Sequence, residues 1–364
     1  MIYRCDLVPQ YELLKDQILD AIQRVLLSGR YTLSKEVKSF EEEFASFIGT
    51  KYAIGVGNAT DGLILSLKAL NIGPGDEVIT SPFTAIPTVS AIIAAGATPV
   101  FADICEDTYL IDLDKVVAAI TNKTKAVIPV HLFGNVVDIP KLKSIIDPLI
   151  PIIEDASQSH GSTINNIQSG SMGELSVFSF YPTKNMGATG DGGIVMSNDE
   201  SLNTKLRLLR TYGMVDYNHI TINGVNSRLD ELQAAILRVK LPLLNSFNEK
   251  RNHIASKYIS MLRKDLFIHQ LIPSNVTTNY HQFVSRLQVD REKFIEYMDR
   301  QDIQTNIYYM IPLHLQEANE FLGYKKGDFP IAEKICDEVI ALTMYPELED
   351  HCLDLVISTI NRYS

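Results

Sequence analysis

Between residues 50 and 200, short apolar runs alternate with amphipathic stretches. The apolar runs are bounded by turn residues and are rich in Val, Ile and aromatic side chains, which favours β-strands. They predict seven strands, at 52–57, 77–80, 98–103, 125–131, 151–155, 175–180 and 192–197. Helix-like segments separate the first five strands, near 60–71, 84–95, 112–121 and 138–147. Strands alternating with helices predict an α/β fold, with a mostly parallel mixed sheet sandwiched by helices.

The pattern changes from about residue 228, where a long helical tract begins that is interrupted by Pro242. A strand-like run follows at 281–289, and further helices are predicted near 291–301 and 329–341. A chain of 364 residues is long for a single core. We therefore predict a large domain over 1–245, whose N-terminal helix can pack on the other domain, and a smaller α+β domain over 246–364.

Composition and charge exclude several classes of protein. The chain is 46% hydrophobic and 21% charged, as in ordinary globular enzymes. Its net charge of −11 argues against nucleic acid and anionic membranes as partners. No apolar run approaches the roughly 18 residues of a membrane helix, and the first residues carry charges where a signal peptide has an apolar core. These features predict a cytoplasmic protein. The four cysteines form no CxxC pair, so no metal site or disulfide framework is predicted.

Polar side chains follow several of the predicted strands. In open α/β sheets, ligands bind at the carboxyl ends of the strands. The polar residues there are Asn58, Thr60, Asp103, His131, Glu154, Asp155 and Ser179. In "PIIEDASQSHG" (151–161), the carboxylate of Asp155 could bind a ribose, a metal or a protonated ring nitrogen. A helix cap or a surface turn explains the same residue equally well.

The stretch "GVGNATDGL" (55–63) leads from a predicted strand into a helix. Free backbone N–H groups and the helix dipole make such a turn an anion site, to which Thr60 can add its hydroxyl. A dinucleotide fingerprint is a competing reading, because Gly55 and Gly57 begin one. Its third glycine is replaced by Thr60, and no acidic strand end follows about 20 residues on. An ordinary helix cap is a further alternative.

One lysine stands alone in "FSFYPTKNMGATGDGG" (178–193): no other lysine occurs between Lys143 and Lys205. An aromatic, glycine-rich surrounding can desolvate an amine, which lowers its pKa and makes it a nucleophile. Lys184 could equally be a solvated loop charge. Together, an anion turn, a strand-end aspartate and an isolated lysine match the needs of pyridoxal phosphate (PLP), which has a phosphate, a ring nitrogen and an aldehyde.

The chain also resembles a known family, the fold-type-I PLP-dependent aminotransferases that act on nucleotide-linked keto sugars. The resemblance runs nearly end to end. It rests on the ordered motifs "LLSGRYTLSKEVKSFEEEFASFIGTKYAIGVGNATDGL", "NIGPGDEVIT", "GATPVFADI", "VHLFGNVVDI", "IIEDASQSHGS", "FSFYPTKNMGATGDGG", "GVNSRLDELQAAI" and "IPLHLQ". These motifs are highly specific for the family and much less specific for the substrate.

The resemblance implies a role for each matching residue around the cofactor ring. Lys184 would hold PLP covalently and then move a proton during the reaction. Asp155 would pair with the pyridinium nitrogen, and Gln158 would contact the phenolic oxygen of the ring. His160, in the same motif as Asp155, is expected to orient the turn.

The resemblance also implies the residues that hold the phosphate. The backbone of Ala59 would bind it, together with the hydroxyls of Thr60 and Ser179. Asn226, in "GVNSR", would reach the phosphate in the neighbouring subunit. The active unit is therefore expected to be a homodimer with shared active sites.

The motif around Lys184 also bears on the substrate. A related branch that removes a sugar hydroxyl has histidine in place of this lysine, so Lys184 argues against that branch. Tyr181 before "PTK" resembles the branch that aminates C3 of the sugar, whereas the C4 branch more often has histidine there. We expect a dTDP-3-keto-6-deoxyhexose as acceptor, L-glutamate as donor and a dTDP-3-amino-3,6-dideoxyhexose as product. A 4-keto sugar or a UDP-linked 3-keto sugar is the alternative.

The sequence departs from the family pattern at two places. Ala85 stands where many members carry an aromatic residue that stacks on the PLP ring, and Phe83 is the nearby substitute. The second departure is the run Tyr308–Met310, which stands where many members have the triplet His-Tyr-Pro. Candidates for binding the substrate are, by position, Tyr181, Arg30, Tyr308 and His314, whereas Arg228 is expected to form a structural ion pair.

Two more remote readings remain from the residues alone. A nicotinamide-dependent oxidoreductase would use Gly55 and Gly57 to bind a pyrophosphate. A non-catalytic relative would keep the fold but would be expected to have lost Lys184 or Asp155, and both are present.

Overall fold

The computed structural model describes residues 1–363. The helices are α1 (Val8–Ser28), α2 (Lys35–Ile48), α3 (Ala59–Ala69), α4 (Ile86–Ala94), α5 (Leu113–Ala119), α6 (Ile139–Ile145), α7 (Glu200–Leu209), α8 (Glu231–Lys240), α9 (Leu244–Met261), α10 (Arg291–Asp299), α11 (Pro330–Glu338) and α12 (Asp350–Asn361). The strands are β1 (Tyr52–Val56), β2 (Glu77–Thr80), β3 (Thr98–Phe101), β4 (Thr124–Ile128), β5 (Ile153–Asp155), β6 (Thr163–Ile164), β7 (Ile167–Gln168), β8 (Leu175–Ser179), β9 (Gly193–Ser197), β10 (Met214–Asp216), β11 (His219–Ile220), β12 (Phe267–His269), β13 (Val276–Thr277), β14 (Phe283–Leu287) and β15 (Val339–Leu342).

The central sheet contains the seven predicted strands in the order β3-β2-β4-β5-β8-β9-β1. Its two ladders meet at β4 and β5 through the parallel bridges Val127–Ile152 and Val130–Asp155. Only β9 runs against the other six strands, because it pairs antiparallel with both β8 and β1. Buried apolar side chains cover the strands, as expected for a sheet between helices. The predicted fold class, a mostly parallel mixed sheet in an α/β protein, is confirmed.

The C-terminal part has its own antiparallel sheet, in the order β12-β14-β15. Apolar residues of α9, α10 and α12 pack on it in one cluster, which includes Tyr258, Phe294 and Ile360. One prediction was wrong here: the helix expected over 329–341 ends at Glu338, and Val339–Leu342 forms the buried strand β15. The predicted domain boundary at residue 245 falls in the first turn of α9, and the division into two domains stays a prediction.

The N-terminal helix α1 packs against α8. Leu14 and Ile18 lie against Ile236 and Phe247 in one small cluster, and Ala21 lies against α8 in another. Residues that precede α1 reach the C-terminal part instead, where Ile2 pairs with Ile303. None of the helices within residues 1–363 has the length and apolarity needed to cross a membrane.

The edge strand β1 has its outer backbone groups bound by side chains. Glu41 of α2 accepts a hydrogen bond from the Gly55 N–H at 2.8 Å. Arg210 donates to the Gly55 carbonyl at 2.8 Å, and Arg207 donates to the Ala53 carbonyl at 3.1 Å. The same two arginines form ion pairs with the buried Glu41, at 2.5 and 2.9 Å. This cluster protects a strand edge that would otherwise pair with another chain.

Candidate active site

Two adjoining cavities open at the carboxyl edge of the central sheet. The first, of about 240 Å³, is lined by Asn58, Ala59, Thr60, Leu63, Thr84, Ala85, Pro87, Thr88, Asp155, Ser157, Gln158, Ser179, Tyr181, Lys184 and Asp191. The second, of about 280 Å³, is lined by Arg4, Phe133, Gln158, Tyr181, Thr183, Lys184, His281, Gln282, Tyr308 and Tyr309. Gln158, Tyr181 and Lys184 belong to both. The fold thus brings seven of the predicted residues to the first cavity and Tyr308 to the second.

The N-terminus of α3 forms one wall of the first cavity. The Asn58 side chain caps this helix by accepting from the Asp61 N–H at 2.9 Å, which leaves Ala59 and Thr60 facing the cavity. Gly193 lets β9 begin directly against this turn, because a Cβ there would lie 2.5 Å from the Asn58 carbonyl carbon. A helix N-terminus with nearby hydroxyls, here those of Thr60 and Ser179, favours a bound anion such as a phosphate.

Asp155 ends β5 and is buried beside this wall. Thr88 donates its hydroxyl to the carboxylate at 2.8 Å, and the Ser157 N–H donates at 3.2 Å. The two hydrogen bonds fix the orientation of the carboxylate. The arrangement suits a carboxylate that pairs with a protonated ring nitrogen.

The loop that carries Lys184 is tightly held on both sides. The Lys184 N–H donates to the Tyr181 carbonyl at 2.8 Å, and Lys240 donates its ammonium to the Gly187 carbonyl at 2.7 Å. Gly187 is required, because a Cβ there would lie 2.1 Å from the carbonyl oxygen of Pro182. The loop therefore presents the Lys184 amine in a defined direction.

Burial lowers the pKa of Lys184 to about 8, although the negative charge of Asp155 acts in the opposite direction. Lys184 is half-buried as a whole, because part of its surface lines the two cavities. A lysine with this pKa has a substantial neutral, nucleophilic fraction near neutral pH. The alternative of a solvated loop charge does not describe Lys184.

A hydrogen-bond network lies beneath the lysine loop. Asn185 donates to the Asn248 side chain at 2.8 Å and to the Asn279 carbonyl at 3.1 Å. Its carbonyl oxygen lies 3.0 Å from Nδ1 of His281, so His281 holds its proton on Nδ1 and donates it to Asn185. Burial holds the pKa of His281 well below its usual value, and the positive charge of Lys184 lowers it further. His281 is therefore a neutral lining residue.

Gln158 and His160, which follow Asp155 in the sequence, are both held in one orientation by their neighbours. The Gln158 amide accepts from the Phe133 N–H at 2.8 Å and donates to the Tyr309 hydroxyl at 3.2 Å, so its orientation is fixed. The ring of His160 is buried against Phe178, with the ring centres 5.1 Å apart, and burial lowers its pKa to about 3. His160 is thus a neutral packing residue, and its carbonyl anchors the turn by accepting from Asn248 and Asn279.

Three predicted site residues do not reach the two cavities. Arg30 lines a separate cavity of about 830 Å³ between α2, β1 and α7, which also includes the Glu41 cluster. His314 is buried, because its imidazole lies 3.0 Å from Glu333 and packs edge-on against Phe329. Asn226 is exposed and pairs with Thr211.

Several other residues singled out in the sequence lie outside the two cavities. His131 and Glu154 form a buried pair at 2.8 Å, and Asp103 accepts from the first N–H groups of α11. Arg228 forms no ion pair within residues 1–363, contrary to expectation. The Phe83 ring lies outside both cavities and packs on other rings instead, so it does not replace the aromatic side chain absent at Ala85.

Among the lining residues that sequence reasoning did not assign to the site are Arg4, Thr88, His281 and Tyr309. Tyr309 directly follows the predicted Tyr308 and could have been found from that position. Thr88 lies in a predicted helix, and Arg4 and His281 come from distant parts of the chain, so no local pattern connects these three with Lys184.

Taken together, the first cavity combines an amine with a lowered pKa, a buried oriented carboxylate and a helix N-terminus. These groups fit the aldehyde, ring nitrogen and phosphate of PLP. The fold and the site thus define the class: a fold-type-I, PLP-type enzyme.

Comparison with known proteins identifies the family. Residues 12–361 match the model of the DegT/DnrJ/EryC1/StrS aminotransferase family, and the chain belongs to this family. The chain is 43% identical to dTDP-3-amino-3,6-dideoxy-α-D-galactopyranose transaminase from Aneurinibacillus thermoaerophilus, over 95% of either chain. It is 38% identical to UDP-N-acetyl-3-dehydro-α-D-glucosamine 3-aminotransferase from Acidithiobacillus ferrooxidans, over 98% of this chain and 96% of that one.

Solved structures agree with this assignment. The crystal structure of S. venezuelae DesV in complex with a ketimine intermediate superposes with a TM-score of 0.96 at 38% identity, covering 99% of this chain and 97% of that one. The structure of NtdA from Bacillus subtilis with bound cofactor PMP gives a TM-score of 0.88 at 29% identity, with 95% and 80% covered. The predicted family is confirmed, and the chain is an aminotransferase by family.

Proposed function

We propose that this protein is a PLP-dependent aminotransferase that converts a dTDP-3-keto-6-deoxyhexose into the dTDP-3-amino-3,6-dideoxyhexose, with L-glutamate as the amino donor. One observation carries the chemistry: the Lys184 amine, with a pKa of about 8, faces the same cavity as Asp155 and the N-terminus of α3. The product would serve the synthesis of a glycan or surface polysaccharide.

PLP supplies an aldehyde that exchanges with amino groups and a ring that withdraws electrons. The N-terminal turn of α3, with the Thr60 and Ser179 hydroxyls, would hold the phosphate. Asp155 would pair with the protonated ring nitrogen through its negative charge. Lys184 would hold the cofactor through Nζ, and as a free amine it would accept the proton from Cα of the amino donor as a general base.

The identity of the substrate rests on the relatives and on Tyr181. The relative with 43% identity carries a dTDP-linked 3-amino-3,6-dideoxy sugar in its name, which supports amination at C3 of a dTDP-sugar. Tyr181 is half-exposed and lines both cavities, where it can contact the sugar. The relative with 38% identity is named for a UDP-linked 3-keto sugar, so a UDP-sugar is the competing acceptor.

The proposal includes a homodimer in which Asn226 contacts the phosphate of the neighbouring subunit. Asn226 is exposed and lies a few residues after the hairpin of β10 and β11. That hairpin leaves large apolar side chains in solvent, among them Tyr217 at 90% exposure and Ile220 at 59%. A cluster of exposed apolar side chains marks an interaction surface, and a second copy would cover it. The predicted cytoplasmic location stays a prediction.

The first experiment is a visible absorbance spectrum of the protein with PLP, recorded before and after excess L-glutamate. We expect a yellow protein that bleaches as the cofactor takes the amino group. Lys184→Ala should lose turnover by a factor of at least about 10³, because both covalent attachment and the base are removed. Normal turnover in that variant would disprove the assigned role of Lys184.

The second experiment separates the acceptors. The amino form of the protein is mixed with 3-keto and 4-keto sugars linked to dTDP or UDP, and return of the yellow colour reports transfer. We expect the dTDP-linked 3-keto sugar to react fastest. Faster reaction of a 4-keto or UDP-linked sugar would replace the proposed substrate but leave the aminotransferase assignment in place.

A further inference from the structure

Arg4 lines the second cavity together with Lys184. No hydrogen bond or ion pair of its side chain occurs within residues 1–363. The Nη1 atom is buried and unsatisfied. A buried donor without an acceptor is costly, and a charged one more so. The guanidinium group therefore has donors free for an acceptor that residues 1–363 do not supply.

The backbone of Arg4 is fixed, although its side chain has no partner. Its N–H donates to Gln304 at 3.3 Å, and its carbonyl accepts from the Met344 N–H at 3.1 Å. The guanidinium carbon lies 5.4 Å from the centre of the Tyr308 ring, a distance at which the ring attracts the charge and orients it. Arg4 is thus held in place with its donors free, as in a preformed anion site.

The second cavity favours a negative ligand. None of its lining residues is an aspartate or a glutamate. His281 is neutral, and Lys184 with its pKa of about 8 is mostly charged at pH 7, which adds to the positive charge of the cavity. The planar guanidinium group of Arg4 can bind a carboxylate through two parallel hydrogen bonds. Arg4 lines only the second cavity and the N-terminal turn of α3 lines only the first, so the ligand of Arg4 is assigned as an anion other than the cofactor phosphate.

We propose that Arg4 binds a carboxylate of the reacting substrate in the second cavity, and that this carboxylate belongs to the amino donor. The inference rests on the proposed function, because an amino acid is the donor only if the protein is an aminotransferase. Such a donor brings its carboxylate next to the Lys184 amine, where the reaction takes place. A sugar that carries a carboxylate offers the same chemistry, so the test separates the two sources.

The test compares Arg4→Gln with the wild-type holoenzyme, and Arg24→Gln, an exposed arginine on α1, is the matched control. Binding of glutarate, a dicarboxylate without an amino group, is measured by calorimetry. The KM and kcat for L-glutamate are measured separately. We expect Arg4→Gln to weaken glutarate binding and to raise KM about 10–100-fold while kcat changes little. Arg4→Lys should recover part of the affinity, and Arg24→Gln should behave as wild type.

The remaining outcomes are distinct. If Arg4→Gln raises the KM of a 3-keto uronic acid sugar but leaves glutamate and glutarate unaffected, the site binds the sugar carboxylate and its assignment to the donor is overturned. If Arg4→Gln binds all these ligands as the wild type does, the proposal is overturned. If, in addition, Arg4→Gln changes from dimer to monomer, Arg4 pairs with a partner subunit instead of with a substrate. If L-glutamate does not bleach the wild-type protein, the proposed function fails, while glutarate binding still reports on Arg4 alone.

Discussion

At the scale of single residues, the charge state of Lys184 determines whether the site can take up its cofactor. An amine attacks an aldehyde only in its neutral form, and burial makes that form accessible at a lower pH. Asp155 opposes this effect, because its negative charge stabilises the ammonium form. The pKa of about 8 is the balance of the two.

This balance predicts the pH dependence of cofactor uptake. The folded pKa of Lys184 lies below the ordinary value, so the amine loses its proton as pH rises through about 8. The rate at which the cofactor-free protein binds PLP should therefore rise up to about pH 8 and then level off. Stopped-flow absorbance measures this rate. A rate that keeps rising towards pH 10 would mean that Lys184 is solvated like an ordinary lysine.

A matched variant tests the contribution of Asp155. Asp155→Asn removes the attraction that raises the pKa of Lys184, so the midpoint of the uptake profile should move to lower pH. Turnover should fall severely in the same variant, because the ring nitrogen loses its partner, while PLP remains bound. An unshifted midpoint together with an unchanged rate would remove Asp155 from both roles.

At the scale of elements, the ion-pair cluster on the edge of β1 links α2, β1 and α7. Glu41 accepts from a strand N–H and pairs with two arginines, of which Arg210 is buried. Removing the charge leaves Arg210 without a counter-charge inside the protein.

Glu41→Gln should lower the free energy of unfolding by about 3 kcal/mol, because one partner of a buried pair is lost. Chemical denaturation measures the change. The control is Glu42→Gln on the same helix, whose pair with Lys38 at 4.0 Å is exposed, and it should change stability by less than about 0.5 kcal/mol. Equal effects of the two substitutions would show that the cluster is not a stabilising element.

Elements with a local signal were predictable, and elements without one were not. The seven strands of the central sheet have apolar runs flanked by turns, and all seven were found in the sequence. Strand β15 was missed because Val339–Leu342 continues directly from α11, so no turn residue separates the two patterns. The reversal of β9 was not predicted either, because strand direction depends on the path of the long loop after Ser179.

At the scale of the whole molecule, the site combines segments that the sequence keeps far apart. Asp155, Lys184 and the α3 turn were predictable, because each follows a strand or lies in a distinctive motif. Arg4 was not, because its place at the cavity depends on contacts with distant residues, namely the pairing of Ile2 with Ile303 and the backbone hydrogen bonds of Arg4 to Gln304 and Met344. His314 and Arg30 were predicted by position along a motif, and packing places them elsewhere.

The proposed dimer makes a prediction about mixed subunits. Asn226→Ala should weaken PLP binding about tenfold, and Lys184→Ala should abolish turnover. In a hybrid dimer of the two variants, one site has native Lys184 and receives native Asn226 from the other chain. Mixing the inactive Lys184→Ala chain with Asn226→Ala should therefore restore one fully active site per dimer, measured as turnover at low PLP. Activity that stays equal to the sum of the separate variants would place Asn226 in its own subunit's site or outside the site.

The position of β1 at the edge of the central sheet also governs the order in which the protein can fold during synthesis. Within residues 1–363 its strand partner is β9 alone, so Tyr52 cannot form its ladder pair until the ribosome has made Ser197. At about 5–20 residues per second, the N-terminal strand waits on the order of ten seconds. Gly193, the first residue of β9, lies against the Asn58 turn that follows β1, so the pairing of these two strands also brings the loop that carries Lys184 next to that turn.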